Sequence, residues 1–402
     1  MLSHPVVRLS AAAVLAAAFL IGCERKEEEA KAPPPPPPPE KLVLTPVAFT
    51  ALPGWSADRV AEAVPAFQRS CAKVKALAAD RSIGPDGVGG KAADWQAPCA
   101  DLAKLPPGDD AAARAYFEAW FTPYAAANNA ERRGLFTGYY EVELKGSRTP
   151  DPAFPVPLYK RPADLVMVDL GEFADRWRGE RIAGRVTAGR LKPFEDRAAI
   201  ESGALSGKGL ELVWLQDPIA TFFLHIQGSG RVSFPDGTET RVGYAAQNGH
   251  KYVAIGRELI DRGALKREEV SLQTIRAWLK ANPGEAAALM NRNPSYVFFQ
   301  ELKGEGPNGA QNVALTPGRS LAVDSKFLPY GVPVWLDAED PLDAQTRLRR
   351  LLIAQDTGGA IRGPVRGDVF WGHGPDAEEK AGVMKSAGEY YILLPKTVAP
   401  AS

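Results

Sequence analysis

Apolar residues recur at helical spacing over residues 57–79 and 109–131, with Phe67, Val74 and Leu77 in the first segment and Tyr116, Phe117 and Trp120 in the second. Both segments are predicted to be helices with one buried face. The same spacing returns from Tyr252 to Ile260 and from Leu272 to Leu279. Elsewhere the apolar runs are short and strand-like: Tyr139–Leu144, Leu210–Leu215, Thr221–Ile226, Val332–Leu336 and Leu351–Ala354. Gly and Pro, at 38 and 35 copies, punctuate these runs as they do in barrels and sandwiches. No repeat of fixed period is present. The pattern predicts a mainly β protein with helices at one end and in the middle.

The N-terminus follows a different logic. Arg8 precedes the apolar run Ala11–Ile21, which is too short for a bilayer span of about 20 residues. Residues 1–22 are therefore expected to be an export signal. The segment Leu20-Ile21-Gly22-Cys23 resembles the lipobox of bacterial lipoproteins, making Cys23 the expected lipidation site; the alternative is an ordinary cleaved signal with an incidental cysteine. Glu24 after that cysteine is consistent with passage to the outer membrane, so an outer-membrane lipoprotein facing the periplasm is expected. Residues 23–43 form a charged and then proline-rich tether, solid from Pro33 to Pro39, in which polyproline extends about 3.1 Å per residue. Export also places Cys71 and Cys99 in an oxidising compartment, where a disulfide can form and persist. With no other thiol in the folded part, a cysteine-based zinc site is implausible.

Charge is balanced at 48 basic and 48 acidic residues. The Arg347, Arg349, Arg350 cluster is too short to be a nucleic-acid stripe, so nucleic acid is not an expected partner. Candidate chemistry concentrates in the last hundred residues. The apolar run Ser320–Val323 ends in Asp324, Leu351–Gln355 ends in Asp356 and a glycine turn, and Asp368 sits in the segment 367–372. Three acids beside strands could converge, and a carboxyl near others in a partly desolvated site keeps its proton to higher pH than the usual value of about 3.9. Any one of them could instead cap a turn.

These residues resemble the three-aspartate domain of the membrane-bound lytic murein transglycosylase A family. The resemblance extends upstream through Thr137-Gly138-Tyr139-Tyr140, Phe223–Gly230, Tyr244–Tyr252 with Ile255-Gly256, and Asn293–Phe299, and covers nearly all of the chain after the tether. It implies a double-psi β-barrel domain over 44–142 and 296–398, an inserted second β-domain over 143–295, and a groove between them for a sugar strand. It implies a lytic exotransglycosylase, a non-hydrolytic lyase without cofactor. Such an enzyme cuts the bond between N-acetylmuramic acid and N-acetylglucosamine and leaves 1,6-anhydro ends. Asp368 falls on the family's catalytic acid and base, with Asp356 and Asp324 as companions. The expected partners are the glycan strand, the membrane through the lipid anchor, and other cell-wall enzymes.

Sugar recognition is expected from aromatic faces and polar donors: Thr137, Tyr139, Tyr140, Gln227, Ser229, Arg231, Asn248, Tyr252 and Trp371. The aromatics are also common core residues. Asp356-Thr357-Gly358 matches the start of an aspartic-protease loop, but Gly359 and Lys326 break that pattern. His225, His250 and His373 lack metal-ligand spacing, and no metal is expected. A non-catalytic peptidoglycan-binding lipoprotein is the alternative reading.

Overall fold

The computed structural model describes residues 39–304 and 306–400. The expected signal over 1–22, the lipidation site Cys23 and the tether as far as Pro38 lie outside the described residues. Among the described residues no helix is long and apolar enough to cross a membrane.

The chain is mainly β with helices. It begins with strand β1 (Leu42–Pro46), helices α1 (Val64–Lys75), α2 (Ala92–Leu102) and α3 (Asp110–Trp120), and strands β2 (Phe121–Asn128) and β3 (Gly134–Ser147). The middle holds β4 (Val156–Tyr159), β5 (Val166–Asp169), β6 (Arg181–Thr187), β7 (Arg190–Pro193), α4 (Arg197–Ala199), β8 (Glu211–Leu215), α5 (Pro218–Gln227), β9 (Ser229–Ser233), β10 (Glu239–Gln247), α6 (Ile255–Asp261), α7 (Leu272–Ala281) and α8 (Pro283–Met290). It closes with β11 (Val297–Leu302), β12 (Ser320–Val323), β13 (Pro333–Glu339), β14 (Arg347–Asp356), β15 (Arg366–His373), α9 (Pro375–Val383) and β16 (Lys385–Pro395).

Strand pairing explains how the two ends of the chain meet. Following hydrogen-bonded neighbours from β16 through β13, β14, β12, β15 and β3 leads back to β16, because Lys385–Gly388 also pairs with Gly134–Thr137. The pairs β12–β14 and β15–β3 are parallel and the rest of this circuit is antiparallel. The runs Ser320–Val323 and Pro333–Ala338 are buried throughout, as strands covered on both faces should be. Their covering layer includes α1, α2 and α3, whose aromatic side chains meet Trp335 through Trp55: the two indoles stack edge to face at 5.2 Å. Strand β3 then continues past the circuit and pairs in parallel with β9, which leads to β10 and β11. A second apolar cluster, centred on Val142, Leu158, Val213 and Val232, fills that region.

Two predicted elements are corrected. The helix expected over 109–131 ends at Trp120, and Phe121–Asn128 is strand β2, paired with β1 and β16. Pro123 lacks an amide hydrogen and clashes inside a helix, while its carbonyl accepts from Val47 N at 2.9 Å. The strand expected over Thr221–Ile226 is instead helix α5. Asp217 caps it by accepting from Ile219 N and Ala220 N, Pro218 occupies its first turn, and Gly228 ends it at φ 80°. Asp-Pro at a start and Gly at an end are the signals of a short helix. They outweigh a mixed apolar run.

Cys71 on α1 and Cys99 on α2 form a disulfide with a Cα–Cα distance of 5.4 Å, and both are buried. It closes a segment of 28 residues' separation. Replacing both cysteines by alanine is expected to lower stability by about 2–4 kcal/mol, read as the shift of the urea unfolding midpoint. An unchanged midpoint would show that helix packing alone holds α1 to α2.

Candidate active site

Asp368 and Asp356 reach one row through backbone register. Ala322 of β12 stands opposite Asp368 on one side and opposite Asp356 on the other, and Thr137 of β3 stands beside Asp368. Side chains alternate along a strand, so Thr137, Tyr139 and Glu141 share one face of β3. Phe136, Gly138 and Tyr140 share the other. Beneath the acids lies a small apolar floor of Tyr139, Leu315, Ala322, Ile361 and Phe370, all buried.

That floor sets the electrostatics. Both acids are half-buried, and loss of hydration disfavours the ionised form. Burial pushes Asp356 up to about 6, and the nearby charge of Asp368 adds to this. The hydrogen bonds it accepts from Tyr139 and from the Thr357 and Ala310 amides work in the opposite direction. Tyr139 Oη donates to Asp356 Oδ2 at 2.8 Å, and the two amides meet Oδ1 at 2.9 Å. Burial also raises Asp368, against the charge of Arg366 and a hydrogen bond from Thr137. Burial and Asp356 keep the Tyr139 hydroxyl protonated.

Thr137 links Arg366 to Asp368. Arg366 Nη2 donates to Thr137 Oγ1 at 2.8 Å, and guanidinium has no acceptor. Thr137 in turn gives its own hydrogen to Asp368 Oδ1, 2.6 Å away. While Thr137 donates to Oδ1, a proton on Asp368 is carried by Oδ2. Arg366 lies two residues before Asp368, a spacing that puts both on one face of β15; strand alternation alone could have singled it out.

The third acid is placed differently. Asp324, at 2% exposure, accepts from Lys326 N at 3.1 Å and Gly363 N at 2.8 Å. Each oxygen is bound to a backbone amide, and the second contact anchors the loop that joins Asp356 to Asp368. Tyr390 clasps the same loop by donating to the Pro364 carbonyl.

The expected sugar contacts divide. Tyr252 is 38% exposed and lies against Gly359 in the loop after Asp356. Thr137 and Tyr139 hold the acids, as described. Gln227 Oε1 accepts from Tyr140 N at 3.0 Å and ties α5 to β3. Arg231 Nε lies 3.6 Å from buried Glu141, which Arg241 also grips through both oxygens. Ser229 is buried at the start of β9. Three others lie away from the acids. Asn248 is fully buried; its amide nitrogen donates to the Glu195 and Pro294 carbonyls and its oxygen accepts from Tyr296 N and His250 N, so it serves the fold. Tyr140 is 1% exposed, on the face of β3 opposite the acids, with its hydroxyl beside Arg276. Trp371 alternates away from Asp368 and wedges against Gly138, where a Cβ would come within 2.6 Å of its Nε1.

Comparison with known proteins places these features in a context. A family model described as the MltA specific insert domain matches residues 135–300, and one described as the 3D domain matches residues 319–394. Membrane-bound lytic murein transglycosylase A of Vibrio cholerae is 34% identical over 266 residues, 64% of this chain and 65% of that protein. The match thus spans just under two thirds of that relative's length. The crystal structure of a membrane-bound lytic murein transglycosylase from Agrobacterium tumefaciens superimposes with a TM-score of 0.78 at 36% identity, covering 88% of this chain and 98% of that one. The structure of E. coli MltA with bound chitohexaose superimposes at 0.61 with 28% identity, covering 89% and 95%.

The raised affinity of Asp356 for its proton predicts a pH-dependent stability. Below the unfolded value near 3.8 both states are protonated. As pH rises towards about 6 the unfolded chain releases its proton first, so the stability contributed by this group is lost over that window. Asp356→Asn, which does not ionise, is therefore expected to be more stable than wild type by about 1–3 kcal/mol above pH 6, with the gain shrinking below pH 4. Urea unfolding at pH 4 and 7.5 measures this. A gain of equal size at both pH values would sink the idea.

Proposed function

This chain belongs to the membrane-bound lytic murein transglycosylase A family, and from that membership we propose that it cuts peptidoglycan glycan strands without water, using Asp368 as both acid and base. The observation that carries the reading is the state of Asp368: a half-buried carboxyl with raised proton affinity, one oxygen fixed by Thr137 and the other left to carry the proton. Protonation of a glycosidic oxygen requires a carboxylic acid, and burial moves Asp368 in that direction.

In the proposed reaction, Asp368 Oδ2 gives its proton to the oxygen linking N-acetylmuramic acid to N-acetylglucosamine. The C1–O bond breaks and the electron pair leaves with the N-acetylglucosamine O4, now a hydroxyl. The resulting carboxylate takes the proton of the muramic acid's C6 hydroxyl as that oxygen bonds to C1. A 1,6-anhydro ring forms and Asp368 recovers its acid form. Intramolecular attack has a high effective concentration, so orientation of the ring replaces activation of water. Ordinary glycosidases instead use two opposed carboxyls about 5–9.5 Å apart. Asp356, ionised above about pH 6 and bound by three donors, eases the positive charge that develops at C1. Asp324 acts indirectly, by ordering the loop between the two acids.

The wider reading follows the family. The six-strand circuit is proposed to be a double-psi β-barrel assembled from residues 44–142 and 296–398, with 143–295 as the substrate-binding insert. Tyr252 and the rim near Gly359 are proposed to meet the sugar strand, as suits a relative whose structure holds chitohexaose. Attachment to the outer membrane through Cys23, facing the periplasm, completes the proposal.

Digestion of purified sacculi tests the chemistry: mass spectrometry should find anhydro ends, and reducing ends from added water would overturn the transglycosylase reading. Asp368→Asn should retain glycan binding and lose turnover by about 10²–10⁴-fold, because an amide cannot give and then regain the proton. Thr137→Val removes a hydrogen bond that favours the ionised carboxylate. Its kcat/KM profile is expected to keep the alkaline decline but at higher pH, since Asp368 would hold its proton further. A decline shifted to lower pH would show that Thr137 does not act on Asp368 in this way.

A further inference from the structure

Strands β5, β6 and β7 form a separate three-stranded sheet in the middle region of the chain. The turn that leads into β6 reaches the acid-bearing part of the molecule: Glu180 pairs with Lys326, two residues beyond Asp324, and Arg178 Nη1 lies 3.4 Å from Asp86 Oδ1. Between this sheet and β10, where the register slips between Tyr244 and Ala246, lies an open cleft of about 560 Å³. Met167, Asp169, Glu172, Phe173, Arg181 and Tyr244 line it.

Two features separate this cleft from ordinary surface. Phe173 is 71% exposed and Tyr244 47% exposed, so two large aromatic side chains stand in water around one concavity, a mark of a binding surface. The rim also carries both signs of charge, with Arg181 Nε 3.3 Å from Asp169 Oδ2 and Glu172 beside them. Neutral N-acetylated sugar rings can hydrogen-bond to such a set but bring no opposite charges to it. A peptide bearing carboxylate and ammonium groups does.

We propose that this cleft binds the peptide stem carried by a muramic acid residue of the strand, with Phe173 and Tyr244 against its apolar side chains and Arg181 and Glu172 meeting its charged groups. The inference rests on the peptidoglycan reading above and adds the peptide to the recognised substrate. The glycan lies over Asp368 and Asp356 while the stem is drawn towards β10.

The experiment compares wild type, the double variant Phe173→Ala with Tyr244→Ala, and Arg181→Gln on two substrates: glycan strands carrying their peptides, and the same strands stripped of peptides by an amidase. For the peptide-bearing strands KM is expected to rise about five- to tenfold with kcat within about twofold. For the stripped strands neither should change. Equal losses on both substrates would make the cleft a sugar subsite, and no change on either would mean that the peptide is not bound there; both results overturn the proposal. Calorimetric binding of the two kinds of strand to the same proteins decides the point even if wild type releases no anhydro product, a result that would count against the proposed reaction alone. Selective weakening for peptide-bearing strands supports the cleft, and equal affinities refute it.

Discussion

Strand β3 pairs in parallel with β15 over Leu135–Glu141 and with β9 over Val142–Lys145. One strand of 14 residues therefore belongs to both regions of the molecule, and the site depends on that double membership. Its first half fixes Thr137 beside Asp368 and sends Tyr139 to Asp356. Its second half carries Glu141 into a buried pair with Arg241, between β3 and β10. A slip of one residue would turn Thr137 and Tyr139 to the opposite face and bring Gly138 and Tyr140 round in their place. The register is locked on both sides, because Gly138 leaves the space that Trp371 fills and Tyr140 belongs to the second apolar cluster.

The same geometry explains why the acids behave unlike free carboxylates. Ala322 between them and Phe370 beneath Tyr139 supply no hydrogen bonds, so desolvation acts without full compensation. The donors that remain are unequal. Asp356 accepts from three, while Asp368 has Thr137 on one oxygen and the Arg366 charge nearby. Two neighbouring carboxyls thereby share one desolvated site with unequal hydrogen bonding, and burial raises the proton affinity of both. Holding them in this state costs stability, which the aromatic core around Trp335 and the Cys71–Cys99 disulfide offset.

Much of the fold was legible in local pattern. The runs ending at Asp324 and Asp356 read as strands because their apolar residues are continuous, and both are buried strands. Helices α6 and α7 follow their apolar spacing to within a few residues. The errors arose where composition spoke against punctuation: Thr221–Ile226 has the residues of a strand and the caps of a helix, and Phe121–Asn128 continues a helical apolar count across Pro123. In the site, the sequence marked Asp368 and Asp356 but could not separate Tyr139, which faces the acids, from Tyr140, which faces the core. Asn248 has the polarity of a ligand contact, yet its four backbone partners lie between 46 and 53 residues away or at His250.

By itself the sequence determined which residues were available: three acids in or beside strand-forming runs, a glycine turn after Asp356, two cysteines able to bridge, and motifs in an order that one family shares. These follow from residue type and short-range spacing, which act within a few positions of the chain. Only the tertiary structure decided which oxygen of Asp368 meets Thr137, that Arg366 binds the same hydroxyl, and that Asp324 binds a loop. Those depend on register between strands as far apart as Thr137 and Asp368, and register is fixed by packing across the whole sheet.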